Sequence, residues 1–276
     1  MPRIKRRQFF QFTASTLATL GFSQFDIQRQ GDRYGKVLAQ STPRKLAFLV
    51  GINAYQAADM TALKGCITDV QMQEQLLINR FGFNSKDILI LTDQTKEKPT
   101  RQGILTAFEE HLIKQAQPGD VVVFHFSGHG GRVKDTDCDE SDCFNSTLVP
   151  LDYSLPNQQG QVQDVMGHTL FLLMKALKTD NVTVVLDSCY SGGGKRGNVI
   201  VRSRDINDTP FQPVPAEMEY QQQWLSKLKL SDAEFKQQRK TGVARGVVIA
   251  SAKRNQEAVD VPFSDFHAGA FTYLMT

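Results

Sequence analysis

NVTVVLDSCYSGGG, Asn181–Gly194, runs a strand-forming stretch into an aspartate, a serine and a cysteine, and closes on three glycines. A near-continuous apolar run of this length predicts a strand covered on both faces, and the glycines predict a sharp turn at its carboxyl end. The same design recurs along the chain in KLAFLVGI (45–52), DILILTD (87–93), DVVVFHF (120–126) and RGVVIASA (245–252). Between these runs lie segments of helical periodicity: CITDVQMQEQLLINRF (66–81), TRQGILTAFEEHLIKQA (100–116) and VMGHTLFLLMKALK (165–178). Strands that alternate with helices predict an α/β fold whose mostly parallel central sheet has helices on both faces.

In such a sheet, ligands bind outside the carboxyl ends of the strands. Two of those ends carry reactive side chains: His129 in SGHGG and Cys189 in DSCYSGGG. Cys189 alone reads equally well as a buried thiol ending a strand. A thiol needs a nearby base to become an effective nucleophile, and an imidazole on the neighbouring strand end is one. Gly130 and Gly131 allow a tight turn after the histidine, and N–H groups at Gly130 and Cys189 then converge on a developing oxyanion. Asp187 lies on the same side of its strand as Cys189, and Asp69 sits at the start of the first helix. Two carboxylates lining one recess select Lys or Arg and repel an acidic side chain. Taken separately, the two aspartates also read as a helix-start acid and a turn cap. Cys66, on the helical pattern, reads as a packed thiol, His125 as a strand residue and His111 as an exposed helical one.

FHFSGHGG (124–131) together with VVLDSCYSGGG (184–194) resembles the caspase-like cysteine peptidases, in particular metacaspases and the bacterial orthocaspases. LKGCITDV (63–70), ASAKRNQEAVD (250–260) and GAFTYL (269–274) are weaker matches to the same family. The resemblance implies a three-layer caspase-like sandwich, with His129 as general base and Cys189 as nucleophile. It also implies Gly130 and Cys189 as oxyanion donors, and cleavage after basic residues in a pocket holding Asp69 and Asp187. The substrates are then peptides or proteins with Arg or Lys at P1. The family usually has a histidine where Tyr190 stands here.

The domain reading places a leader at 1–39, a large-subunit-like part at 40–194, an exposed insertion at 195–244, and the start of a small-subunit-like part at 245–276 that reads as cut short. The insertion is rich in Lys/Arg and Gln and holds Pro210, Pro213 and Pro215. Family members are often matured by a cut in this region, which makes Lys195, Arg196, Arg202 and Arg204 candidate self-processing positions. A non-catalytic scaffold that binds basic peptides is the alternative class, followed by a thiol hydrolase of small amides or esters.

The formal charge of +3 is carried by the leader, whose seven Lys/Arg face only Asp26 and Asp32 and leave the rest slightly acidic. A slightly acidic body has no electrostatic footprint for nucleic acid. Arg6 and Arg7, the apolar stretch from Phe12 to Phe22 and the small residues of VLAQ resemble a twin-arginine export signal cleaved after Ala39, with the cytoplasm as the alternative location. Membrane contact is then limited to export of the leader. Oligomeric state is not legible.

KDTDCDESDC (134–143) has carboxylates at calcium-loop spacing, but Glu140 stands where glycine is needed and Ser146 where the closing glutamate is needed. It reads instead as a solvated acidic surface in which Cys138 and Cys143 are close enough in sequence for a local disulfide. Many metacaspases bind calcium elsewhere, through acids downstream of the histidine and an aspartate pair. This chain has Asn145 and Ser146 in the first place and only Asp164 of the pair. The expectation is that no metal or other cofactor is required, calcium included.

Overall fold

The computed structural model describes residues 29, 32–33, 35–40, 42, 44–57, 60–135, 137–138, 143–189, 195–196, 199–204, 211–240, 244–251, 258–262 and 266–276. Arg6, Arg7, Tyr190 and the three glycines that follow it lie outside those residues. In chain order come β1 (Lys45–Gly51), α1 (Cys66–Phe81), β2 (Ile88–Thr92) and α2 (Arg101–Ala107), which runs on as a π-helical stretch over Phe108–Ile113. Next are β3 (Val121–Ser127), β4 (Gly130–Lys134), β5 (Phe144–Leu148), β6 (Gln161–Val162), β7 (Val165–Met166) and α3 (Gly167–Ala176). They are followed by β8 (Val182–Asp187), β9 (Lys195–Arg196), β10 (Val199–Val201), β11 (Gln212–Pro213), α4 (Pro215–Leu228) and α5 (Asp232–Lys240). The chain closes with β12 (Val247–Ala250), β13 (Val259–Pro262), β14 (His267–Gly269) and α6 (Ala270–Met275).

The five predicted strands form one sheet in the order β12-β8-β3-β1-β2, and all four pairings are parallel. Side chains alternate between two cores, as the pleat requires. Leu46, Phe48 and Val50 of β1, Val122, Phe124 and Phe126 of β3, and Val182, Val184 and Leu186 of β8 enter the larger core. Ala47, Leu49, Val121, Val123 and Val185 face the other way, onto Val70 and Leu77 of α1 and Phe271 of α6. Asp187 follows Val185 by two and therefore faces α1, the helix that carries Asp69. The α/β reading with helices on both faces is what the chain adopts.

α1 begins without a side-chain cap. Its free N–H ends are taken from elsewhere: Cys66 N–H donates to Asn53 Oδ1 at 2.9 Å, and Gly65 N–H to Asp260 Oδ2 at 2.9 Å. The helix ends at Gly82, whose φ of 69° is the left-handed conformation favoured by glycine. Cys66 is a packed thiol, and burial pushes it well above the ordinary range.

The expectation of an exposed insertion over 195–244 is corrected. Trp224, Leu225 and Phe235, from α4 and α5, enter the larger core, and Val201, Arg202, Ser203 and Arg204 are all buried. Pro215 sits at the first helical position of α4, where a missing N–H costs nothing, and Pro213 lies in β11, while Pro210 falls outside the described residues. The helix expected over 165–178 starts later, because Val165 and Met166 pair with β5. His111 is half-buried rather than exposed, with Nε2 3.0 Å from the Ala47 carbonyl. The acidic loop is not uniformly solvated: Asp135 is buried and lies 3.7 Å from His168 Nε2, while Asp137 pairs with Arg239 at 2.8 Å. Cys138 and Cys143 are disulfide-bonded. Leu38, just before the expected leader cleavage, is fully buried in the core against α1, so a cut after Ala39 removes a packed side chain.

His125 is fully buried, and neither ring nitrogen has a hydrogen-bond partner among the described residues. Burial lowers its pKa to about 4, with the nearby Asp187 charge opposing. A histidine depressed in the folded state binds its proton later than in the unfolded chain, so stability is lost as pH falls from about 6.5 to about 4. His125→Leu is therefore expected to flatten the decline of the urea midpoint between pH 7 and pH 4.5. The part removed is up to about 1.4 kcal/mol per pH unit. Equal slopes for the two proteins would show that folding does not shift the His125 pKa.

Candidate active site

β3 and β8 are neighbours in register, with Ser127 opposite Asp187, so the segments leaving them start side by side. After Ser127 the chain turns through Gly128, where an added Cβ would stand 2.7 Å from Tyr55 Oη, and delivers His129. The His129 N–H donates to Tyr55 Oη at 2.8 Å, and the two rings lie 4.9 Å apart. His129 Nε2 is 2.6 Å from the Thr61 carbonyl oxygen. A carbonyl only accepts, so Nε2 carries the hydrogen and Nδ1 keeps the lone pair of the neutral ring. Burial holds the His129 pKa down at about 4, with the Thr61 carbonyl pulling the other way, so the ring is a neutral base at physiological pH.

The two N–H groups expected to converge do so. Gly130 N–H and Cys189 N–H each donate to the same oxygen, the Arg202 carbonyl, at 3.0 Å. The histidine and cysteine segments, far apart in sequence, thus meet at one atom. Cys189 is fully buried beside Val201 and Ala258. The strand crossing it is β10 and its continuation: Ile200 and Val201 pair antiparallel with β13, Arg202 N–H donates to Ala258 O at 2.9 Å, and Arg204 N–H donates to Gly130 O at 2.9 Å.

The expected acidic recess also exists, and it is occupied. The Arg202 side chain is fully buried, with Nη1 2.8 Å from Asp69 Oδ2, 3.4 Å from Asp187 Oδ2 and 2.7 Å from Ser127 Oγ. Asp260 Oδ1 stands 3.9 Å from Nη2. The carboxylates are themselves held: Asp69 accepts from Ser127 Oγ at 2.7 Å and Gly269 N–H at 2.8 Å, and Asp187 from Thr272 Oγ1 at 2.6 Å. Burial raises Asp69 to about pKa 6, with the Arg202 charge opposing and that of Asp187 adding to the rise.

Reasoning from sequence therefore missed Ser127, Asp260, Gly269 and Thr272. Gly269 is needed because a Cβ there would lie 2.1 Å from Asp187 Oδ2 and 2.7 Å from Arg202 Nη1. Asp260 and Gly269 lie in two of the weaker family matches, which was the available signal. Of the four basic candidates, Arg202 reaches the recess. Arg204 is buried two residues further on, against Asp164, and Lys195 and Arg196 pair through their backbone with β10.

The residues aligned with the family's calcium acids do not fit a cation. Asp164 accepts from Arg204 Nη1 at 2.9 Å and from Thr147 Oγ1 at 2.5 Å, and Asn145 Oδ1 accepts from His168 N–H at 3.3 Å. Among the described residues no group of three or more His, Cys, Asp or Glu is arranged to hold a metal ion, and no helix is long and apolar enough to cross a membrane.

Comparison with known proteins gives relatives of part of the chain. Metacaspase-1 of Schizosaccharomyces pombe is 40% identical over 154 residues, 54% of this chain and 34% of that protein. Metacaspase-1 of Mycosarcoma maydis is 39% identical over 153 residues, 54% of this chain and 36% of that protein. This chain spans about a third of the length of these relatives. A crystal structure of a protein from Geobacter sulfurreducens shares the fold at 22% identity, with a TM-score of 0.50 over 84% of this chain and 80% of that one. Residues 45–194, which begin at β1 and include His129 and Cys189, match the profile of the metacaspase peptidase C14 domain, and the chain belongs to that family.

Proposed function

We propose that this chain is a cysteine endopeptidase that hydrolyses peptide bonds after Arg or Lys, and that the first bond it cuts is its own Arg202–Ser203 bond. One observation carries the reading. The Arg202 carbonyl oxygen sits between the Gly130 and Cys189 N–H groups while the guanidinium of the same residue lies on Asp69, Asp187 and Ser127. That is how a substrate with arginine at P1 must bind for attack.

In the proposed reaction His129 Nδ1 takes the thiol proton as Cys189 Sγ attacks the Arg202 carbonyl carbon, and the two N–H groups hold the resulting oxyanion. Collapse breaks the Arg202–Ser203 bond. The Ser203 amine leaves with the proton from His129, and Arg202 remains as a thioester. His129 then takes a proton from water, whose oxygen displaces Cys189 and leaves Arg202 with a free carboxylate. A neutral imidazole suits this role, since a protonated one has no lone pair to accept the thiol proton. Before the cut, the strand from Val201 to Arg204 covers Cys189, so the precursor is closed to other substrates. The reaction as written uses no metal ion, and an unchanged rate in chelator is the expected result. Export of the leader and work in the periplasm or outside the cell remain part of the reading, supported by the Cys138–Cys143 disulfide.

The test is a set of fluorogenic peptides with Arg, Lys or Asp at P1. Arg and Lys peptides are expected to be hydrolysed and the Asp peptide not. Asp69 must be ionised to hold the substrate cation, and burial places its pKa at about 6. That value holds with Arg202 in the recess, and in the vacant recess, which lacks the opposing charge, it lies higher. KM for the Arg peptide is therefore expected to rise as pH falls from neutral toward about 6. Specific binding of Arg peptides without hydrolysis would favour the scaffold reading, and hydrolysis indifferent to P1 would remove the acidic recess from substrate selection.

A further inference from the structure

We infer that the site has a second pocket for a basic side chain on the leaving-group side, built from Asp164, Tyr153 and Phe211, so that the preferred sequence is Arg-X-Arg cut after the first arginine. This rests on the proposal that Arg202 occupies the P1 position. Ser203 is then P1′ and Arg204 is P2′. Arg204 is held as a ligand would be. Its N–H donates to Gly130 O at 2.9 Å, which continues the backbone pairing past the scissile bond. Its guanidinium pairs with Asp164 Oδ1 at 2.9 Å and lies over the rings of Phe211 and Tyr153, at 4.4 Å and 5.2 Å from their centroids.

The pocket is built around that planar cation. Asp164 and Tyr153 are each 2% exposed, and Thr147 Oγ1 fixes the second carboxylate oxygen at 2.5 Å. Gly131 makes the room, because a Cβ there would stand 2.8 Å from Arg204 Nη2 and 3.0 Å from Asp164 Oδ2. An aspartate beneath two aromatic faces selects a guanidinium over an ammonium, since only the planar group both stacks and hydrogen-bonds. Without its cation, Asp164 is a buried carboxylate left uncompensated, so a P2′ residue that lacks positive charge binds worse.

The test uses the full chain carrying Arg204→Ala, allowed to process itself to completion so that the pocket is vacant. Two internally quenched peptides, identical but for Arg or Ala at P2′, are compared as a ratio of kcat/KM, which partial inactivation leaves unchanged. The Arg peptide is expected to be preferred by about 30-fold or more, and the double variant Arg204→Ala/Asp164→Asn to lose most of that preference. Should Arg204→Ala fail to fold, Arg204→Met keeps the aliphatic length between the rings and serves in its place. A ratio near one, with Arg still required at P1, would overturn the second pocket and leave the P1 reading standing. Hydrolysis of neither peptide, by the variants or by the unaltered chain, would overturn both.

Discussion

The full chain carrying Arg202→Ala is expected to remain in one piece under conditions in which the unaltered chain separates into two fragments with Ser203 at the new amino terminus. The loss in self-cleavage rate is expected to be about 100-fold or more, because the substitution removes the cation held in a recess of buried carboxylates. It should also destabilise the precursor. Asp69, Asp187 and Asp260 all lie around that guanidinium, and taking away one partner of a buried ion pair typically costs about 3–5 kcal/mol. Part of the cost is recoverable by protonation. Burial already raises Asp69 to about 6, and loss of the opposing Arg202 charge raises it further. The folded variant thus binds a proton that the unfolded chain, with its ordinary aspartate, releases, so its deficit relative to the unaltered chain should shrink as pH falls from 7 toward 5. Arg202→Lys keeps a cation but reaches fewer partners, and should cut at an intermediate rate. Mass spectrometry of the fragments and urea unfolding at the two pH values read both effects. Cleavage of Arg202→Ala between residues 202 and 203 at the unaltered rate would dissociate the recess from the cut.

The sheet and the neighbouring exits of β3 and β8 were legible because both follow from local rules. Runs such as 121–126 and 182–186 are apolar at all but one position, His125 and Thr183, and only a strand between two layers of helix buries both faces of such a run. His129 and Cys189 follow those runs directly, and the parallel sheet that the runs predict makes the two segments start side by side. Asp187 was legible for the same reason, since the two-residue period puts it on the side of α1 and Asp69. The segment after the cysteine was misread because charge and proline content describe an average surface. Arg202 and Arg204 are buried only because Asp69, Asp187 and Asp164, each distant in sequence, are there to receive them. Asp260 and Gly269 complete the recess from β13 and β14, strands too short to carry a hydrophobic pattern. No local signal reports a pairing of that kind.

Cys189→Ala is expected to abolish both self-cleavage and peptide hydrolysis, a loss of about 10⁴-fold or more when the nucleophile of an acyl-transfer site is removed. The variant should nevertheless fold. The sulfur lies in a small apolar cluster with Val201 and Ala258, and removing one atom there costs about 1 kcal/mol or less. It should therefore accumulate as the intact precursor, with Arg202 still in the recess. His129→Ala should fail in the same assays for a different reason, since it leaves the thiol in place without its base. The two variants separate when the thiol is ionised by other means. Raising the pH toward 9 should restore part of the hydrolysis in His129→Ala, because the thiolate fraction grows without a base, whereas Cys189→Ala should stay inactive at every pH. Identical fragmentation of Cys189→Ala and the unaltered chain would mean that another protease makes the cut, and the Arg202 peptide would then be a bound inhibitor of the site, not its first substrate.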